Sequence, residues 1–326
     1  MLVVLGCGGP PAPASQDDAV MFEDEAAERA APAASSEVAQ AEAELAQGHG
    51  AEAERILRAV IERLPADARA HLDLGLALEM QERLEDAEAA YRAAIEADPA
   101  LAEAHNNLGA LLRDRGELPE AVRVLREAVR VRPGFASAQL NLGLALEEAD
   151  EVEAAMVAYQ RVIELAPREP TARIQLGLLQ LDLGQDEQAL LTLRHAVGPA
   201  RGDRAMLSAL GNGLRRAGDP QMAVRVLRDA VAASEEPAPA AVRAELALAE
   251  LAAGHREDAE RTLAALIADS PRFAVAHYLL GNLLAAREAW SEAAERFQAY
   301  LRIEPQGEHA AAARERLEVV RRRGRR

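Results

Sequence analysis

The amino-acid sequence predicts an all-α fold, a solenoid of tandem helix-turn-helix pairs. Three observations predict it. Near-identical segments recur every 34 residues, as in HLDLGLAL (71–78), HNNLGALL (105–112) and QLNLGLAL (139–146). Within each period, apolar residues fall at helical gaps on both sides of a Gly/Pro turn. The composition is rich in Ala, Leu, Glu and Arg, which are strong helix formers, and only 3% of residues are aromatic.

The N-terminus stands apart from the repeats. MLVVLG is a short apolar run, followed by the only cysteine, Cys7. Val4-Leu5-Gly6-Cys7 resembles the bacterial lipoprotein box, whose cysteine is lipidated and becomes the new N-terminus. That resemblance implies a lipid anchor at Cys7 and a cell-envelope location, an outer-membrane lipoprotein facing the periplasm. The run lacks a basic leader and is shorter than a signal peptide, a departure that a start codon assigned too far downstream accounts for. Residues 8–33 are Pro/Ala-rich and acidic, without sustained periodicity, and read as a disordered linker. One cysteine allows no internal disulfide. No stretch is long enough to span a bilayer as a helix.

The periodic region occupies 34–307. Gly75, Gly109, Gly143, Gly177 and Gly211 step by 34, and Gly281 follows after two periods plus two residues. Ala53, Ala87, Ala121, Ala155, Ala189 and Ala223 keep the same step, which then lengthens to 36 before Ala259 and returns to 34 at Ala293. Pro65, Pro99, Pro133 and Pro167 form a third series, resumed at Pro271 and Pro305. All three series admit the same two-residue slip, beside Pro237 and Pro239. A fixed period of this length marks a repeat array. Eight units follow, at 34–67, 68–101, 102–135, 136–169, 170–203, 204–237, 240–273 and 274–307, with the first, fifth and seventh degenerate at the Leu-Gly pair or the closing Pro.

The third unit shows the local logic. Leu108, Leu111 and Leu112 form a stripe on a first helix, and Ala121, Val124, Leu125, Ala128 and Val131 form one on a second. Gly116 suits the left-handed residue that ends the first helix, Pro119 suits the first turn of the second, and Pro133 stops it. Helices of about a dozen residues are marginal alone in water, so neighbouring pairs must stack to bury their stripes. The recurring Gly and Ala are packing positions where helices approach closely. Residues 308–326 read as a final capping helix with an Arg-rich tail at 321–326.

These residues resemble the tetratricopeptide repeat (TPR) family, whose 34-residue pattern is W-x2-L-G-x2-Y, A-x3-F and P. Leu108-Gly109, Leu112, Ala121, Leu125, Ala128 and Pro133 fill it, and Tyr91, Tyr159 and Phe297 supply its aromatic elsewhere. The Trp position instead holds His71, His105, Gln139 and His277. The resemblance implies a right-handed superhelix whose first helices line a concave groove for a peptide or protein partner.

Mapped onto that groove, Asp73, Asn107, Asn141 and Gln175 form one row on the residue before Leu-Gly. Amides offer donors and an acceptor, so the row is suited to gripping the backbone of an extended peptide. It resembles the asparagine ladder in the repeats of O-linked N-acetylglucosamine transferases. Beside it, Leu140, Leu144, Ile174, Leu178 and Leu181 either face the groove as a seat for an apolar segment or lie buried between successive first helices. Leu72, Leu76, Asn107, Ser137 and Asn141 occupy the clamp positions of the family's chaperone-tail binders. They provide two amides and no cation, which argues against a co-chaperone.

Charge and motif content narrow the function. The net charge of −17, with every basic residue an arginine, argues against nucleic acid, because phosphate contacts need a basic face. No phosphate loop, H-E-x-x-H or metal-spaced Cys pair is present, and the expectation is a non-enzymatic scaffold with no cofactor or metal. The preferred role is a cell-envelope lipoprotein assembling a multiprotein complex. The alternative is a soluble, cytoplasmic TPR adaptor or regulatory module for an enzyme encoded elsewhere.

Overall fold

A computed structural model describes residues 36–233 and 238–325. Every regular element among them is a helix, and none is long and apolar enough to cross a membrane. Cys7, the linker 8–33 and Pro237 lie outside the described residues. The chain divides into two compact units, Met1–Ala166 and Pro167–Arg326.

The first unit contains α1 (36–46), α2 (Gly50–Arg63), α3 (Ala68–Glu79), α4 (Leu84–Ala97), α5 (Ala102–Asp114), α6 (Leu118–Val131), α7 (Ala136–Glu148) and α8 (Val152–Leu165). Odd-numbered helices open each repeat and even-numbered ones close it. The opening helices α3, α5 and α7 pack against their closing partners α4, α6 and α8, and α5 also packs along α7 of the next repeat.

The second unit contains α9 (Thr171–Asp182), α10 (Asp186–Ala196), α11 (Arg204–Arg216), α12 (Pro220–Ala232), α13 (Ala240–Ala252), α14 (Arg256–Asp269), α15 (Ala274–Ala286) and α16 (Trp290–Ile303), closed by α17 (Ala310–Arg323). Here α9 packs along α11 and α11 along α13, while α17 lies on α16. Ala310, Ala313, Leu317 and Val320 of α17 join the core formed by Leu280, Leu284, Phe297 and Tyr300.

The periodic glycines and alanines have a steric cause. A methyl group at Gly75 would meet the Tyr91 ring at 2.3 Å, at Gly109 it would meet Leu125 at 2.4 Å, and at Gly143 it would meet Tyr159 at 2.7 Å. In the second unit the same clash arises between Gly211 and Leu227 at 2.4 Å and between Gly281 and Phe297 at 2.9 Å. The closing helix thus presses a large residue, sixteen positions on, against the bare backbone of the opening helix. Ala53, Ala87, Ala121, Ala155, Ala189, Ala223, Ala259 and Ala293 are all fully buried, which leaves room for nothing larger at that contact.

The turn between paired helices is equally uniform. Its residue takes positive φ in all eight repeats: Gly48, Gly116, Gly184, Gly218 and Gly254, but also Glu82 (φ 60), Asp150 (φ 62) and Glu288 (φ 66). The left-handed conformation that ends the helix is therefore dictated by the fold, even where the residue carries a side chain.

Candidate functional site on the first-helix face

In the first unit the opening helices α3, α5 and α7 bring Asp73, Asn107 and Asn141 to one register. They are not equivalent. Asp73 is 2% exposed. Its Oδ2 has no hydrogen-bond partner, and Arg69 Nε stands 3.5 Å away, an ion-pair distance. Burial pushes the Asp73 carboxyl up to about 7, against the pull of Arg69 and with the repulsion of Glu42 and Asp67. Asn107 and Asn141 are half-buried.

The two asparagines are joined through a third, Asn106. Asn141 Nδ2 donates to Asn106 Oδ1 at 2.8 Å, and Asn106 Nδ2 donates to Asn107 Oδ1 at 3.1 Å. The row is therefore a linked chain of amides, with each group oriented by the next. Asn106 is absent from the row that the sequence suggests. The signal was its place beside Asn107, in a register where the flanking repeats carry Leu72 and Leu140. Asn106 is itself buried, and Asn107 also hydrogen-bonds the Tyr91 hydroxyl, so the donor capacity left on this face is the second hydrogen of the Asn107 and Asn141 amides.

Leu140 and Leu144 on α7 are half-buried beside the amides. Lower on α5, Arg113 donates to Asp114 Oδ1 at 2.6 Å and lies 3.7 Å from Glu148, while its Nη1 is buried without a partner. Tyr91 donates to Glu79 Oε2 at 2.6 Å, and Tyr159 donates to Glu147 Oε2 at 2.5 Å. Burial pushes both tyrosines and Glu79 upward, which keeps the phenols protonated as donors.

In the second unit Gln175 and Leu178 on α9 are half-buried, and Leu178 packs against the core. Ile174 is 3% and Leu181 8% exposed, both inside the cluster of Leu193, Leu207, Leu210 and Leu214. Of the two places open to these residues, Ile174 and Leu181 take the interior, where the next first helix covers them. That burial corrects their assignment to a partner seat. Asp73 is likewise buried, with no free edge for a ligand.

The histidines have a structural task. His71, His105 and His277 reach the carbonyls of Pro65, Pro99 and Pro271, six residues back, at 2.8, 3.0 and 3.0 Å. Arg173 makes the same contact with Pro167 at 2.5 Å. At these four positions the family's Trp site thus becomes a polar staple to the end of the preceding repeat. Burial lowers the His277 pKa, with the Pro271 carbonyl opposing it. No group of three or more His, Cys, Asp or Glu residues able to hold a metal occurs among the described residues.

An open cleft of about 510 Å³ in the second unit is lined by Arg228, Leu246, Glu250, Asp258, Arg261 and Thr262. Glu250, 2% exposed, accepts from Arg228 at 3.0 Å and from Thr262 at 2.8 Å, and Arg228 also pairs with Asp258 at 2.7 Å. The charges neutralise one another, so the cleft reads as a polar tie between α12, α13 and α14.

Comparison with known proteins agrees with this geometry. Tetratricopeptide repeat models match residues 38–102, 106–170, 244–308 and 206–240, which together span more than half the chain. None of the curated proteins matches. Among solved structures, PilF of Pseudomonas aeruginosa is similar at 21% identity and TM-score 0.56, over 61% of this chain and 90% of PilF. The Cut9–Hcn1 hetero-tetramer of APC/C is similar at 17% identity and TM-score 0.54, over 83% of this chain and 52% of the matched one. At these identities the likeness is one of fold. The repeat models, the helix pairs and the steric pattern at the Gly and Ala series lead to one assignment: the chain belongs to the tetratricopeptide repeat family, a family of protein-interaction scaffolds.

Proposed function

We propose that this protein is a non-enzymatic scaffold in which the amide chain on α5 and α7 grips the backbone of an extended partner segment. In the same reading it acts as a cell-envelope lipoprotein, anchored through Cys7, in the assembly of a multiprotein complex. The observation that carries the binding site is the linked trio in which buried Asn106 orients the half-buried Asn107 and Asn141 on an opening-helix face. Backbone recognition by amides is tolerant of sequence, which suits a scaffold. Leu140 and Leu144 supply apolar surface next to it, and on α9 of the second unit Gln175 repeats the amide position with Leu178 beside it as the apolar one. Support for the anchor is the Val4-Leu5-Gly6-Cys7 pattern and the acidic, Pro-rich stretch after it.

The test is a binding assay on the wild type and three full-length variants. Asn107→Ala combined with Asn141→Ala is expected to weaken partner binding by about 1–3 kcal/mol, at about 0.5–1.5 kcal/mol per lost hydrogen bond, with the melting temperature little changed. Leu144→Glu tests the apolar seat and Leu178→Glu its counterpart on α9. Unaltered affinity in a folded double-alanine protein sinks the amide reading. For location, the wild type is expected in the membrane fraction and Cys7→Ser in the soluble one. Stable attachment needs two or more acyl chains, because each buried methylene contributes only about 0.8 kcal/mol.

A further inference from the structure

The opening helices of the first unit carry three bands, each one turn from the last. Three positions after the amide row the residue is apolar, Leu76 on α3, Ala110 on α5 and Leu144 on α7, and all three are half-buried. Four positions further the register reads Met80, Asp114 and Glu148. Residues i, i+3 and i+7 share one face of a helix, so Asn107, Ala110 and Asp114 form one stripe and Asn141, Leu144 and Glu148 the next. Met80 is 38% exposed, and the side chains of Asp114 and Glu148 are 64% and 51% exposed. The third band is therefore an open rim, about 10 Å along the helix from the amides at about 1.5 Å per residue.

This rim is negative. α5 ends on Asp114 and α7 on Glu148, where the helix dipole is itself negative. Arg113 serves both acids: it donates to Asp114 Oδ1 at 2.6 Å and stands 3.7 Å from Glu148, beyond hydrogen-bond distance. One positive charge between two exposed carboxylates does not neutralise them. An acid at the C-terminal end of a helix works against the stability of that helix, so its recurrence at one register of one face marks a surface kept for another task. The second unit lacks this pattern. There α11 ends on Arg216, α13 and α15 end on Ala252 and Ala286, and Asp182 at the end of α9 is paired with Arg216.

An apolar band that leads to an acidic rim is complementary to a long cationic side chain, whose methylene stem lies along apolar surface while its charged end stays in water. A short or neutral polar side chain gains at most one of the two contacts. We propose that the extended partner segment docking on this face carries a lysine or arginine, with its stem on Ala110 and Leu144 and its charge paired with Asp114 and Glu148. The assignment deepens the amide reading of the same face and rests on it for where the partner's backbone lies.

The test uses the full chain and a fluorescent peptide of four Ser-Leu-Lys units, followed by anisotropy at low and high salt. Saturable binding is expected, weaker at high salt. Replacing each lysine by 2,4-diaminobutyrate, which keeps the charge on a shorter stem, should weaken binding; glutamine should weaken it further, and glutamate should abolish it. Asp114→Asn with Glu148→Gln should weaken the lysine peptide by about fivefold or more. Glu62→Gln with Glu96→Gln, an equal loss of charge at exposed sites on α2 and α4, should change it little. Asp114→Arg with Glu148→Arg should lose the lysine peptide and gain the glutamate one, which separates lost docking from lost folding. The proposal is overturned by no saturable binding of the lysine peptide, by a glutamine or diaminobutyrate peptide that binds as tightly, or by lysine binding that ignores Asp114 and Glu148. Asn107→Ala with Asn141→Ala keeps these outcomes apart from failure of the amide reading. Lysine binding that survives this pair and is lost with the rim acids supports cation recognition and removes the amide grip.

Discussion

Position for position, the two units place their polar residues differently. In the first, the register before Leu-Gly carries Asp73, Asn107 and Asn141, and the buried register three residues after its Gly is uniformly Leu78, Leu112 and Leu146. In the second, the outer register becomes Gln175, Ala209, Glu245 and Leu279, while the inner one reads Gln180, Leu214, Glu250 and Leu284. In the second unit polar side chains occupy both registers, Gln175 and Glu245 in the one and Gln180 and Glu250 in the other. Glu250 is tied down by Arg228 and Thr262, while Gln180 Oε1 is buried without a partner. In the first unit the inner register is uniformly leucine, and the candidate binding row lies in the register beside it, where Asp73 is buried and Asn107 and Asn141 are half-buried. An interior that admits a carboxylate must use its neighbours to satisfy it.

The comparison is broken most severely at the Gly contacts. Gly109→Val puts carbon where Leu125 already lies within 2.4 Å, and overpacking of this kind costs about 3 kcal/mol or more in a contact between backbone and a fully buried side chain. Leu125→Ala added to Gly109→Val should recover part of the loss by making room. The seventh repeat carries Ala247 at the matching position, fully buried, so the second unit has a pair built around a methyl group. Urea unfolding of the single and double variants measures both effects. Equal stability of Gly109→Val and wild type would show that the contact yields without cost.

Asp73 offers a sharper test, because the same register carries asparagine in the next two repeats. Its pKa of about 7 in the folded protein lies above the ordinary value of 3.8, so the folded state holds the proton more tightly than the unfolded chain. Stability from this group therefore falls as pH rises from about 4 to 7, and the penalty is complete above 7. Asp73→Asn removes the charge and should stabilise the first unit by about 1–3 kcal/mol at pH 8, with the difference fading toward pH 4. Thermal melts at the two pH values measure it. A difference that is the same at pH 4 and pH 8 would mean that ionisation of Asp73 is not its cause.

Much of this was legible in the sequence for a physical reason. Packing against backbone tolerates only the smallest side chains, so the Gly109 and Ala121 series recur, with Ala247 the exception at the Gly position, and announce the fold. The turn was legible at Gly116 and hidden at Glu82, Asp150 and Glu288, because positive φ is imposed there by the surrounding helices rather than encoded by the residue. The face was half legible. Asn107 and Asn141 stand out by register, but the role of Asn106 depends on a contact between α5 and α7 that repeat spacing does not reveal. Ile174 and Leu181 look like groove residues in a helical pattern, and only the packing of successive first helices shows that they are covered. The task of His71, His105 and His277 was opaque because their partner is a backbone carbonyl, which has no signature in sequence.

The smallest expected effect lies in the turns, where the first unit has two side chains at positive φ and the second has one. Glu82, Asp150 and Glu288 are exposed, and no ion pair among the described residues involves them, so replacing them removes no contact. The left-handed conformation costs an ordinary residue about 1–2 kcal/mol, and glycine adopts it freely. Against that stands the greater freedom of glycine in the unfolded chain, worth about 0.5–1 kcal/mol. Glu82→Gly and Glu288→Gly should therefore each stabilise by about 0.5–1 kcal/mol. Asp150→Gly should gain less, because aspartate tolerates positive φ better than glutamate does. The two changes in the first unit together should raise its urea midpoint more than Glu288→Gly raises that of the second. A loss of stability in Glu82→Gly would show that its side chain holds the turn by a contact other than backbone conformation, and the uniform positive φ would then cease to be the reason that glycine fills the other five turns.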